Sequence, residues 1–263
     1  FGGIVISDWA ITNTCPEQCM NPTVDKPQGF AIAMPWGVEN LSEEDRYAMG
    51  ANAGIDQFGG VDNPSPLLSA IKAGKVPLAR VNEAARRVLR LKFDLGLFDN
   101  PYVDEDKATQ IIGNKATQAE ADAAQRAAQV LLENKANLLP LAAGRKVWLS
   151  GVSQQVAQAA GLTVVDSLDQ ADVALVRATT PHEMLHPNHF FGSRQNEGRL
   201  DFRADDDATR IVATASAKVP TIVAVDLDRP AVLTQIKDKA SGLFGRVGAS
   251  DAVLLGLVPG KAV

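Results

Sequence analysis

The motif Ser7-Asp8-Trp9 places a carboxylate and an indole side by side at the end of an apolar run. Residues 4–6 are Ile-Val-Ile, which is typical of a strand buried on both faces. A carboxylate at the C-terminal end of such a strand lies where barrel enzymes carry out their chemistry, and a tryptophan offers a flat apolar face to a sugar ring. The structural alternative is that Asp8 caps the next turn and Trp9 packs beside it.

A second motif, His182-Glu183-Met184-Leu185-His186, matches the H-E-x-x-H pattern of zinc proteases. That chemistry needs a helix, which points both imidazoles to one face. Pro187 follows directly, and the residue before a proline is disfavoured in helical geometry. His189 lies beyond that proline. We therefore expect residues 182–186 to form a loop, in which a histidine could hydrogen-bond a sugar substrate. We expect no metal and no cofactor.

Two series of alternating strands and helices must position these residues. The first series has strands at 4–6 and 55–58 and helices at 43–53, 66–73 and 80–95. In its first helix, Ser42 is the expected N-cap and Gly54 the expected end. The second series has helices at 118–132, 154–160, 207–217 and 231–239, and strands at 146–150, 162–165, 172–176, 221–225 and 243–247. Strands that alternate with helices predict a mostly parallel sheet with helices on both faces.

Two segments lack clear periodicity. A polar loop extends from residue 10 to about residue 40, directly after Asp8. A second irregular segment, about thirty residues long, separates the strand ending near Val176 from the helix starting near Asp207. Because it follows the C-terminal end of a strand, where open α/β sheets place their sites, we expect it to be functional.

The composition predicts an ordinary globular protein. The 263 residues are 46% apolar and 22% charged, with a net charge of -5. The net charge argues against nucleic acid or an anionic membrane as a partner, and no apolar run reaches the roughly 20 residues of a membrane helix. Because the chain begins at Phe1 with a strand in progress, we expect a piece of a longer protein whose location is periplasmic or secreted. Cys15 and Cys19 form a local disulfide or remain two thiols.

Five blocks of sequence resemble glycoside hydrolase family 3, in its β-glucosidase branch. Residues 1–9 look like the nucleophile strand of that family, and residues 53–56 resemble the short strand that follows. Residues 80–98 are similar to its last barrel helix, 100–103 to the exit from the barrel, and 130–141 to the entry to the second domain. The blocks occur in the order of the family and together extend over nearly the whole chain.

The resemblance implies an α/β protein in which the C-terminal part of a (β/α)₈ barrel precedes an α/β sandwich domain with a mostly parallel sheet. Residues 1–104 would form the barrel part that carries the nucleophile, 105–117 a linker, and 118–263 a sandwich domain truncated at its end. The earlier barrel strands, which supply most sugar-gripping residues in the family, are absent. We therefore expect the chain alone to be inactive.

The resemblance also implies the residues of the site. A retaining glycosidase uses two carboxyl groups about 5 Å apart, one as nucleophile and one as acid/base. Asp8 is the expected nucleophile, and Glu197, in Asn196-Glu197-Gly198, resembles the acid/base motif of the family. Trp9 and Arg194 are expected to bind substrate, and Asp201 is the fallback acid/base. In the structural alternative, Glu197 is a solvated residue paired with Arg194 or Arg199.

The function implied is hydrolysis of terminal β-glucosidic bonds in β-glucosides or β-linked oligosaccharides by double displacement. Xylosidase and N-acetylhexosaminidase activities occur in the same family, and Trp9 after the aspartate favours a glucosidase. A non-catalytic carbohydrate-binding protein on the same fold is the alternative, because a fold does not by itself fix a function.

Overall fold

The computed structural model describes residues 1–29 and 33–260, which divide into two compact units. The first unit comprises Phe1–Glu105 and Met184–Asn196, and the second comprises Asp106–Glu183 and Glu197–Val263. The loop predicted from residue 10 to about residue 40 includes residues 30–32, which lie outside the described residues.

The first unit contains two parallel strands and the helices that follow them. In chain order its elements are β1 (Ile6–Trp9), α1 (Glu17–Met20), α2 (Glu43–Ala53), β2 (Gln57–Gly59), α3 (Ser65–Lys72) and α4 (Leu78–Asp94). β1 pairs with β2 in parallel, with Ile6 opposite Gln57 and Trp9 opposite Gly59. A small core, centred on Ala48, Ala70 and Val76, holds α2 and α3 together.

The helix α2 begins and ends where the sequence predicts. The Ser42 hydroxyl accepts the N–H of Asp45 at 3.1 Å, and acidic residues occupy the first turn, where the helix dipole favours anions. Gly54 ends the helix at φ 112°, a left-handed conformation that glycine adopts without steric cost. The Ser42 hydroxyl and the conformational freedom of Gly54 therefore explain the two ends of α2.

The first strand differs from its prediction in position and burial. The sequence predicts a strand at residues 4–6 that is buried on both faces, but β1 begins at Ile6, and Ile6 is 51% exposed. Within the described residues, β1 has one paired neighbour, β2, so a second neighbour does not cover it. The prediction of a strand from the apolar, β-branched residues is confirmed. The prediction that this strand is buried on both faces is wrong for the described chain.

A buried carboxylate fixes the start of β1. The Asp56 side chain has no solvent exposure and accepts the Val5 N–H at 2.9 Å, while the Asp56 N–H donates to the Val5 carbonyl at 2.8 Å. Arg80 Nη2 on α4 lies 2.6 Å from Asp56 Oδ1, and Arg87 Nη1 lies 3.4 Å from Asp56 Oδ2. Burial raises the pKa of Asp56, but the Val5 N–H and the two guanidinium groups outweigh burial and hold the pKa below its ordinary value.

The second unit is built on one six-stranded sheet. Its helices are α5 (Glu105–Ile111), α6 (Lys115–Ala127), α7 (Gln154–Ala159), α8 (Asp207–Ser216), α9 (Thr234–Lys237) and α10 (Asp251–Leu257). Its strands are β3 (Gln129–Asn134), β4 (Lys146–Ser150), β5 (Thr163–Val165), β6 (Val173–Thr179), β7 (Thr221–Asp226) and β8 (Gly242–Arg246). No helix among the described residues is both long and apolar enough to cross a membrane.

The sheet has the order β3-β8-β7-β6-β4-β5 and is mixed, because β3 is antiparallel to β8 while the other neighbours are parallel. Successive residues of β7 enter opposite cores: Ile222 and Ala224 pack on one face, and Val223 and Val225 on the other. Burial on both faces explains why central strands such as β7 are continuously apolar. The α/β class predicted from the alternation of strands and helices is confirmed.

Two predicted helices of the second unit need correction. The helix predicted at 118–132 ends at Ala127, and β3 follows it, because the run from residue 129 pairs antiparallel with β8. The helix predicted at 231–239 is reduced to α9, because the Val232 N–H donates to the Leu200 carbonyl and extends the backbone there. The segment 105–117, predicted as a linker, contains α5 and the start of α6.

We predict that Asp56→Asn lowers the free energy of unfolding by about 3 kcal/mol, because it leaves the guanidinium of Arg80 partly buried without its anionic partner. The control is Asp94→Asn, which removes an exposed pair with Arg90 and should cost about 0.5 kcal/mol or less. Denaturant unfolding of both variants measures the difference. Equal stability of the two variants would contradict the structural role of Asp56.

The ion pair between Asp56 and Arg80 also makes the free energy of unfolding depend on pH. Because folding lowers the pKa of Asp56, its contribution is complete above the unfolded-state pKa of about 3.9 and is lost as the pH falls through the folded-state pKa. The difference in stability between the parent and Asp56→Asn should therefore shrink on acidification below about pH 4. A difference independent of pH would contradict this.

Candidate active site

Asp8 lies within β1, next to its C-terminal end, with its side chain exposed. Asp8 Oδ1 accepts the Trp9 N–H at 2.7 Å, which orients the carboxylate. The hydroxyl of Ser7 donates to the Asp8 carbonyl at 2.8 Å and accepts the Gly59 N–H at 2.9 Å, so it ties β1 to β2 beside Asp8. The strand register shifts between Ile6 and Trp9, an irregularity of the kind that re-aims a side chain. An exposed, oriented carboxylate at this position is suited to nucleophilic attack.

Trp9 lies beside Asp8 and is 65% exposed, so much of its ring surface is accessible. Other large apolar side chains are exposed to a similar degree, for example Trp36 at 61%, so it is the neighbouring Asp8 carboxylate that makes Trp9 a candidate sugar contact. The pairing of a carboxylate with an accessible indole, predicted from Ser7-Asp8-Trp9, is therefore present in the structure as sequence neighbours on one strand.

The loop after β1 is organised by a buried arginine and a disulfide. Arg46 is 4% exposed, and its guanidinium donates to the carbonyls of Thr12 at 2.8 Å and Leu41 at 2.7 Å. Cys15 and Cys19 form a disulfide with a Cα–Cα distance of 5.5 Å, which settles the alternative that the sequence leaves open. The loop next to Asp8 is thus tied to α2.

The segment that carries Glu197 is extended and paired with residue 183. The N–H of Glu183 donates to the Glu197 carbonyl at 2.8 Å, and Glu183 Oε2 accepts the Arg199 N–H at 2.9 Å. Gly198 lies between them at φ 72°, and a methyl group there would lie 2.2 Å from Glu183 Oε2. Glu197 itself is partly buried and belongs to the second unit, whereas Asp8 belongs to the first.

Arg229 binds the backbone on both sides of the extended pair formed by Glu183 and Glu197. Its Nη2 donates to the carbonyls of Pro181 at 2.8 Å and Arg199 at 3.1 Å, and its Nη1 donates to the Gly198 carbonyl at 3.3 Å. Hydrogen bonds from a charged donor are stronger than those between neutral groups. Arg229 therefore holds the backbone on either side of the extended pair that includes Glu197.

The remaining predicted residues have defined partners. The Arg194 guanidinium lies 4.0 Å from the centre of the Phe190 ring and donates to the Phe190 carbonyl at 2.7 Å. The two terminal nitrogens of Arg199 bind Asp206, and the Arg199 guanidinium holds the pKa of Asp206 below its ordinary value. Asp201 pairs with Arg203 at 3.3 Å. Asp201 is therefore engaged in an ion pair at the surface.

The zinc-protease alternative is wrong for this chain. Residues 181–186 contain no helix, and Glu183 lies in the extended pairing with Glu197. The two prolines that flank the motif explain this, because they leave too little chain for a helix. Within the described part of the chain, no group of three or more histidine, cysteine or acidic side chains is arranged to hold a metal ion.

Sequence reasoning missed Arg46, Asp56 and Arg229. Each acts on backbone groups distant in the sequence, so no local pattern identifies it. Gly198 had a local signal, since a glycine after Asn-Glu favours a turn with positive φ. The roles of the three charged residues could therefore be found only once the fold was known.

Comparisons with known proteins relate the whole chain to one group of enzymes. No protein-family model matches the chain. It is 45% identical over 255 residues, 97% of its length, to the periplasmic β-glucosidase/β-xylosidase of Dickeya chrysanthemi, and 35% identical over 264 residues, 99% of its length, to β-glucosidase C of Emericella nidulans. It spans 39% and 40% of those two proteins, which are therefore much longer.

The fold is also shared with a solved structure. The crystal structure of a β-glucosidase from Listeria innocua in complex with gluconolactone matches 100% of the chain with a TM-score of 0.68, at 20% identity, and 39% of that protein is covered. At this identity the likeness shows the fold alone, an α/β architecture with a mixed sheet.

We predict that Arg229→Ala loosens the segment that carries Glu197, because three backbone carbonyls lose a charged donor. Hydrogen exchange of the Glu183 amide, which donates to Glu197, should become about tenfold faster or more. The matched control is Arg210→Ala, whose exposed side chain donates to the Asp205 carbonyl and pairs with Asp207. Unchanged exchange in Arg229→Ala would contradict the role given to Arg229.

Proposed function

We propose that this chain, which is similar to β-glucosidases and resembles glycoside hydrolase family 3, forms the part of a retaining β-glucosidase that supplies both catalytic carboxyl groups. Asp8 is the nucleophile and Glu197 is the acid/base. The observation that carries the proposal is the exposed carboxylate of Asp8 at the end of a parallel strand, oriented by the Trp9 N–H and flanked by the exposed Trp9 ring.

The first unit is proposed to be the last part of a (β/α)₈ barrel. Two adjacent parallel strands, β1 and β2, are connected through the short helix α1 and the longer helix α2, as the strand–helix–strand units of such barrels are connected through helices. Asp8 lies toward the C-terminal end of its strand, the end at which barrel enzymes place their catalytic groups. We assign residues 1–104 to the barrel, 105–117 to the linker and 118–263 to the sandwich domain.

The proposed reaction is a double displacement. The Asp8 carboxylate attacks the anomeric carbon while the Glu197 carboxylic acid protonates the leaving oxygen, giving a glycosyl-enzyme and a free alcohol. Glu197, now a carboxylate, then takes a proton from water, whose oxygen displaces Asp8 and releases glucose. Trp9 contacts the sugar on the leaving-group side, and Arg194 binds substrate at the edge of the site. The mechanism requires no cofactor.

The proposed substrate class is β-glucosides and β-linked oligosaccharides. The names of the Dickeya and Emericella relatives support a glucosidase, and the former also includes xylosidase activity. Because the chain spans only 39% of the Dickeya protein, the residues that grip the sugar hydroxyls are proposed to lie in the rest of a longer enzyme. The chain alone is therefore expected to have no turnover.

We predict opposite anomers when azide replaces each missing carboxylate in the full-length protein that contains this chain. Asp8→Gly should lose about four orders of magnitude or more of kcat/KM, and azide should displace the leaving group directly to give an α-glucosyl azide. Glu197→Ala should still form the glycosyl-enzyme from an activated aryl β-glucoside, and azide should then give the β-glucosyl azide. Product anomers are read by NMR.

Asp201→Asn is the matched control, since Asp201 lies on the same segment and pairs with Arg203. It should retain the activity of the parent within a few-fold. If Asp201→Asn instead gave the azide-rescued phenotype and Glu197→Ala remained active on substrates with poor leaving groups, the acid/base would be Asp201 and the assignment of Glu197 would be wrong.

A further inference from the structure

Two glycines at the end of β2 lie against the ring of Trp9. A methyl group on Gly60 would lie 2.2 Å from Trp9 Cδ1, 2.5 Å from Cγ and 2.7 Å from Nε1. Real Cβ atoms do not approach other atoms that closely, so any side chain at Gly60 would displace the indole. The absence of a side chain at residue 60 is therefore required for the observed position of Trp9.

Gly59 lies against both the backbone and the ring. A methyl group there would lie 2.8 Å from the Ser7 carbonyl oxygen, 3.1 Å from Trp9 Cε3 and 3.3 Å from the Asp8 carbonyl oxygen, so its closest contact is the backbone of β1. Glycines in strands often mark such a close approach of two backbones. Gly59 thus chiefly allows β1 and β2 to pack beside Asp8, whereas all the close contacts of Gly60 are with the ring of Trp9.

We propose that Gly60 is a positioning residue that fixes the place of the Trp9 ring. In that place, the accessible surface of the ring faces the sugar on the leaving-group side. The inference rests on the proposed function, because it assigns Gly60 a role in binding through Trp9. Trp9 remains 65% exposed although the ring lies against Gly60, so its remaining surface is available to a substrate. Gly60 makes no contact with substrate itself.

Backbone conformation is the competing reason for a glycine at residue 60. Gly60 has φ +65°, which other residues adopt only with strain. Gly74, also in the first unit, has φ +74°, and a methyl group on it would meet nothing within 4 Å, so Gly74→Ala introduces the backbone strain without a collision. Comparing the two substitutions therefore separates an effect on the position of the Trp9 ring from an effect of backbone strain in the turn.

The test is a double-mutant cycle in the full-length protein with Gly60→Ala, Trp9→Ala and the double variant, and with Gly74→Ala as control. For a β-linked glucose disaccharide, Gly60→Ala should lower kcat/KM by about tenfold, mainly through KM, with a smaller effect on a small aryl β-glucoside. In the Trp9→Ala background, Gly60→Ala should have no further effect, because the ring is gone. An equal effect in both backgrounds, or the same effect from Gly74→Ala, would overturn the proposal.

A measurement without turnover separates this inference from the proposed function. In protein labelled with 5-fluorotryptophan, the ¹⁹F resonance that disappears in Trp9→Phe belongs to Trp9. That resonance should shift in Gly60→Ala and remain unchanged in Gly74→Ala. If the resonance shifts but the protein hydrolyses no β-glycoside, the role of Gly60 in positioning Trp9 is supported and the proposed β-glucosidase function is refuted. An unshifted resonance would overturn the role of Gly60, whatever the activity.

Discussion

The buried carboxylate of Asp56 is the interaction on which the position of Asp8 depends. It binds the Val5 N–H directly before β1 and is neutralised by Arg80, with Arg87 nearby, on α4. A buried ion pair adds little net stability but is costly to break, so it acts chiefly as a constraint on geometry. Because Asp8 lies three residues after Val5, the chain has little freedom between this anchor and the carboxylate.

The backbone beside each proposed catalytic carboxyl group is held by contacts with residues distant in the sequence. Around Asp8, the Ser7 hydroxyl and the close approach of Gly59 hold β1 against β2. Around Glu197, the extended pairing with Glu183 and the guanidinium of Arg229 hold the segment. Fixing the backbone beside the reacting groups is what pre-organisation of an active site requires.

The sequence predicted those features that depend on local chemistry. The caps of α2, the apolar strands β6 and β7 and the relation to β-glucosidases are confirmed. The strand β3 was missed because its apolar run continues an alanine-rich helix, and only pairing with β8, more than 100 residues away, makes it a strand. Asp8 and Glu197 could be named from motifs, but the roles of Asp56, Gly60 and Arg229 could not, because their contacts join distant parts of the chain.

The proposed mechanism depends on a covalent bond between Asp8 and the sugar. The most direct test incubates the full-length protein with a 2-deoxy-2-fluoro-β-glucoside that carries a good leaving group, and maps the modified peptide by mass spectrometry. The fluorine slows breakdown of the glycosyl-enzyme, so we expect a label on Asp8, next to the C-terminal end of β1. A label on another residue, or no label in a protein that still hydrolyses ordinary β-glucosides, would contradict it.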